Sequence, residues 1–204
     1  MRREVAVLVV VLAAVALPRV AAAQATGTTT FNAPYRAFQH SEFGALMSFP
    51  NGGGTAIEGA YRYASGKFDI GFKAGFLDTP GPGNVILLVG AEARERVITH
   101  TIDFPLDGAL IVGAGGNFVS GNSALLFPVG LSLGRRIDPQ GSTVSIVPYV
   151  QPTLFLIAGN NVADHVQFAL GLGADFRLSR RFDARISAGL GDDEGVSIGA
   201  VWVH

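Results

Sequence analysis

Two stretches of the chain hold acids and bases at strand spacing. The first is Asp175, Arg177, Asp183 and Arg185 in "ADFRLSRRFDAR"; the second is Glu58, Arg62, Asp69 and Lys73 in "EGAYRYASGKFDIGFK". Carboxylates beside cationic side chains can take an anion, pass a proton or neutralise one another. Residues two apart in a strand share a face, so each set would stand on one face of a hairpin. Pairing Leu178 with Phe182 across residues 179–181 sets Arg177 opposite Asp183 and Asp175 opposite Arg185. The neighbouring register would oppose Asp175 and Asp183, which is unfavourable. A two-residue Ser65-Gly66 turn would likewise set Arg62 opposite Asp69 and Glu58 opposite Lys73. Crossed opposite charges in both hairpins describe a structural lock, in which each charge meets its partner, and not a catalytic or ion-conducting site.

The remaining chemistry-bearing residues are scattered. In "HSE", His40 and Glu42 would share a face while Ser41 points away, so the run cannot form a hydrolytic triad. His100, His165 and His204 lie in or beside links, and no pair has metal-ligand spacing on one face. Asp192, Asp193 and Glu194 could hold a divalent cation but read as a solvated turn. "GAGGN" and "GLGAD" lack the following helix that a phosphate site needs. The expectation is no catalytic residue, no metal ligand and no cofactor.

The elements that must position these residues are strands. Period-2 segments recur at about 36–49, 55–63, 67–77, 84–95, 104–118, 123–136, 143–157, 165–178, 182–190 and 195–203. Turn-forming links such as "NGGG", "SG", "DTPGPG", "SGN", "DPQG" and "GDDEG" separate them, and no helical pattern intervenes to make a parallel crossover. The fold class is all-β: an antiparallel up-and-down transmembrane β-barrel of ten strands, with eight as the alternative. Ten residues at about 3.3 Å span about 33 Å; tilted near 40°, that projects to about 25 Å, the height of an outer-membrane apolar band.

Composition agrees. Charged residues make up 15% of the chain, against roughly 25% in soluble chains, and glycine supplies 27 of 204 residues, about twice the usual share of roughly 7%. Residues 1–23 read as a cleaved signal peptide, with Arg2 and Arg3 before an apolar run from Val5 to Leu17 and small residues at "AAAQA". Residues 24–35, containing "TGTTTFNAP", read as a flexible segment of low order, and 36–204 as the barrel. Loss of the leader leaves 12 basic and 15 acidic residues of the original 15 and 16, a net charge of −3, which gives no support for nucleic-acid binding. No cysteine is present, so disulfides and thiol chemistry are excluded.

One face of the strands is apolar and the other is small or charged. With the first strand rising from the periplasm, Tyr61, Tyr63, Phe68, Phe104, Phe176, Phe182 and Trp202 fall in a periplasmic aromatic belt, and Phe49, Phe76, Phe118, Phe127 and Phe168 near the opposite rim. Two belts flanking aliphatic residues are the pattern of a lipid-facing surface. These features resemble the small bacterial outer-membrane barrels of the OmpA transmembrane-domain, OmpX and opacity-protein type. The resemblance implies short periplasmic turns, longer outer loops, a plugged polar interior and localisation to the outer membrane. Its implied partners are outer-membrane lipids, lipopolysaccharide and the barrel-assembly machinery reading the C-terminal strand. Its implied role is structural, in the envelope, or narrow porin-like solute passage. A departure is the ending "AVWVH", where Trp202 stands two residues short of the terminus. The alternatives are a soluble periplasmic lipid-binding barrel and an outer-membrane lipid-modifying enzyme.

Overall fold

The computed structural model describes residues 25–34, 40–81, 85–160 and 162–204; the expected leader at 1–23 lies outside them. Among the described residues all regular structure is strand: β1 (Glu42–Pro50), β2 (Thr55–Ser65), β3 (Phe68–Asp78), β4 (Val85–Ile98), β5 (Asp107–Val119), β6 (Asn122–Gly134), β7 (Ser145–Gly159), β8 (Val162–Arg177), β9 (Phe182–Gly191) and β10 (Gly195–Val203). Each strand pairs antiparallel with its chain neighbours, and β1 pairs with β10, so the sheet closes into a barrel with no free edge. His204 N extends that seam by donating to Ser41 O at 2.9 Å.

The alternation that marks each strand in the sequence is the inside-outside alternation of the wall. In β3, Phe68, Ile70 and Phe72 face out, while Asp69, Gly71 and Lys73 are buried inside. Two ladders break where proline removes a donor. The β5–β6 ladder skips from Val112↔Val129 to Gly115↔Leu126 around Pro128, and the β6–β7 ladder from Gly130↔Thr153 to Leu133↔Val150 around Pro152.

The β8–β9 hairpin has the register drawn above, with Asp175↔Arg185 and Arg177↔Asp183 directly opposed. The β2–β3 hairpin does not. Ser65 pairs with Phe68, leaving Gly66 and Lys67 as the loop, so Arg62 opposes Gly71 and Glu58 opposes Gly75. The reason is local: Gly66 adopts a φ of 62°, and a two-residue turn with glycine in its first position accepts that conformation without strain.

The links also depart from the implied pattern. At the rim shared by Ser41 and His204, residues 99–106 and 135–144 are the longest connections, whereas the opposite rim has links as short as 120–121, 160–161 and 192–194. The larger correction concerns the segment expected to be a low-order tether. Residues 25–34 lie inside the barrel, and Ala25, Thr26, Thr28, Thr29, Thr30, Phe31, Asn32 and Ala33 are all buried. The lumen of a ten-stranded wall lined by glycine is wider than its own side chains fill, and this segment occupies the remainder.

Candidate functional site

The inward charges named from the sequence converge in the lumen, joined there by Glu92, Arg94 and Asp107. Glu42, Glu58, Arg62, Asp69, Lys73, Glu92, Arg94, Asp107, Asp175, Asp183 and Arg185 are buried there. Arg177 stands nearer the rim, where its Nε is 3.8 Å from Asp183.

Arg62, on β2, gathers carboxylates from three strands. Its Nη1 donates to Asp69 Oδ1 at 2.5 Å, its Nη2 bonds Glu92, and its Nε lies 3.6 Å from Glu42. The Arg62–Asp69 bond survives the shifted register because Gly71, directly opposite, leaves space: a Cβ there would sit 2.9 Å from the guanidinium carbon. Arg94 grips the same Asp69 through Nε and Nη2, both at 3.1 Å. Arg185 continues the chain around the wall, donating from Nη2 to both oxygens of Glu42 at 2.7 Å and from Nε to Asp175 at 3.1 Å. The result is a connected run, Arg94–Asp69–Arg62–Glu42–Arg185–Asp175, across β4, β3, β2, β1, β9 and β8. Such mutual neutralisation is what makes buried charges tolerable. It also engages the carboxylates that a general base would need free.

Glu58 and Lys73 are not opposed to each other; both turn to the internal segment. Thr28 Oγ1 donates to Glu58 Oε2 at 2.7 Å, and Lys73 Nζ donates to the Thr30 carbonyl at 3.0 Å and hydroxyl at 2.9 Å. Around them the wall clasps the segment's backbone. Ser187 and Ser197 donate to Thr29 O at 2.6 and 3.1 Å, Tyr149 to Phe31 O at 2.8 Å, and Ser132 to Asn32 O at 2.7 Å. Asn32 N donates to Gln151 Oε1 at 3.2 Å, and its amide reaches Glu92 at 3.2 Å. Phe31 enters an apolar half of the lumen with Leu126, Val147, Tyr149, Phe155, Ile157 and Ala169. The sequence reading missed this set. The available signal was glycine at inward positions of facing strands, where nothing on the wall could fill the space.

The other candidates separate. Ser41 Oγ accepts from Ala64 N at 3.2 Å, Glu42 belongs to the arginine run, and His40 is exposed. Asp192, Asp193 and Glu194 are not a solvated turn. Asp192 caps Phe168 N at 2.9 Å and Glu194 accepts from Asn51. Asp193 is 1% exposed, with Oδ2 lacking a donor. Burial pushes its carboxyl up to about 8.

Outside, the expected belt residues Tyr61, Tyr63, Phe68, Phe104 and Trp202 are exposed at the rim that holds the chain end, and Phe176 and Phe182 are half-buried there. Phe182 meets Trp202 edge to face at 6.4 Å. Phe49, Phe76, Phe118 and Phe127 are exposed toward the other rim. Among the described residues, outward-facing charges on strands are Asp78, Glu95 and Asp164, all near strand ends.

No family model matches the chain, and no curated protein matches it. Solved structures that match include a de novo designed transmembrane β-barrel, 14% identical over 82% of this chain and 97% of that one, with a TM-score of 0.42. Another is the β domain of the Bordetella autotransporter BrkA, 13% identical over 81% of this chain and 99% of that one, with a TM-score of 0.43. The likeness carries no residue or activity over to this chain.

Proposed function

We propose that this chain is an integral outer-membrane β-barrel with a filled polar interior and a structural role in the envelope. The observation that carries this reading is the inversion of the wall. The outward face is apolar from belt to belt, with Phe72, Val89, Val112, Val129, Leu154 and Ile186 all exposed, and the ionisable side chains of the strand interiors point inward. In water such a surface would be one continuous apolar patch far above the size that soluble monomers carry; in lipid it is the expected one. The family suggested by the sequence pattern, the OmpA and OmpX type, fits the same reading. Its partners would be outer-membrane lipids and lipopolysaccharide along the belts, with the assembly machinery engaging β10 through Trp202.

The lumen weighs against the soluble lipid-binding alternative, because an acyl chain would have to displace both the arginine run and residues 25–34. An enzymatic role for His40 and Glu42 draws no support from their surroundings. The test is fractionation with heat-modifiable gel migration. The folded chain is expected in the outer-membrane fraction, soluble only in detergent, with a compact band that shifts on boiling. Recovery as a detergent-free periplasmic protein would overturn the proposal.

A further inference from the structure

We infer that residues 25–34 are a tethered, displaceable ligand of a peptide-binding lumen, and that their departure turns the closed barrel into a narrow passage. The passage, though not the binding site, rests on the membrane reading above.

The wall is shaped for an occupant. A Cβ at Gly90 would lie 2.8 Å from the Ala25 Cβ, one at Gly115 would strike Ala25 O, and one at Gly171 would strike the Phe31 ring. Recognition is directed mainly at backbone: Lys73, Ser132, Tyr149, Ser187 and Ser197 each donate to a carbonyl of Thr29 to Asn32. That clasp suits an uncharged, hydroxyl-bearing peptide with one aromatic side chain, bent as residues 25–29 are. Two features make the occupant separable from its site. It adds no strand to the sheet, whose ten ladders close through β1 and β10 without it. The ion pairs of the arginine run join wall to wall, so they remain neutralised when it leaves.

The chain has no cysteine, so a single thiol reports on the segment. Thr28→Cys in the refolded full-length chain should react slowly with a maleimide. Adding Gly171→Val, which takes the space of the Phe31 ring, should speed labelling about a hundredfold, as expected when a buried segment becomes predominantly open. Phe31→Ala leaves the wall untouched and should also speed labelling, and a synthetic peptide of residues 25–34 in excess, by taking the lumen from the tethered segment, should speed labelling of the Thr28→Cys chain itself. In planar bilayers both variants should give current steps that the parent lacks. If both variants keep heat-modifiable migration yet label at the parent's rate and pass no current, the inference is wrong. If labelling accelerates but the chain does not float with liposomes, the lumen site stands and the membrane reading fails.

Discussion

Arg62 is the residue on which the interior charge balance turns, since its guanidinium meets Glu42, Asp69 and Glu92 from three other strands. Arg62→Met would leave those carboxylates short of a partner in a place water barely reaches. A loss of about 3–5 kcal/mol is expected, the usual result of stripping one member from a buried pair, read from the denaturant midpoint of the detergent-folded chain. Asp193 carries the opposite lesson. Its carboxyl is raised to about 8 by burial, so the folded chain holds a proton that the unfolded chain gives up near pH 4. Its contribution is whole below about pH 4 and declines as pH rises toward about 8. Asp193→Asn should therefore match the parent at pH 4 and exceed it in melting temperature at pH 8; equal melting at both would contradict this. Sequence alone showed that Asp175, Arg177, Asp183 and Arg185 would cross-match, because their register depends on charge opposition. It misplaced the partners of Arg62 and Lys73 by two residues because the φ of Gly66 decides that turn, and composition does not reveal φ.

The strand is the element at which lipid and water can be told apart by mutation. Phe72 lies midway along β3, and Tyr63 lies near the rim on β2; both are exposed. In a bilayer, Phe72→Arg should cost about 2–4 kcal/mol and Tyr63→Arg about 0–1 kcal/mol. On a water-soluble barrel both would fall within about 0.5 kcal/mol of the parent. Equilibrium folding into liposomes measures the difference. All ten strands were legible in the sequence because a wall with different surroundings on its two sides imposes a period of two on every crossing. The links were less legible. Glycine and proline mark where the chain turns, but the generous 135–144 connection is held by contacts that composition does not announce: Asp138 accepts from Arg136 at 2.7 Å and from Ser145 at 2.5 Å. These hydrogen bonds, that from Ser145 first, hold its carboxyl below the usual range.

At the scale of the whole molecule, closure was readable and content was not. An even number of antiparallel strands with belts at both ends can close on itself, as β1 and β10 do. Residues 25–34 have the small polar composition of a tether, and nothing local distinguishes a tether in solvent from one seated in a lumen. The distinction comes from the wall, whose inward glycines at 90, 115 and 171 leave a groove along its length. The occupant of that groove has no ionisable side chain from Ala25 to Pro34. A potential across the membrane exerts about 2.3 kcal/mol per elementary charge per 100 mV, and on these side chains it has nothing to act upon. As far as its side chains are concerned, the segment is drawn out by competition for its hydrogen bonds or by a pull on the chain.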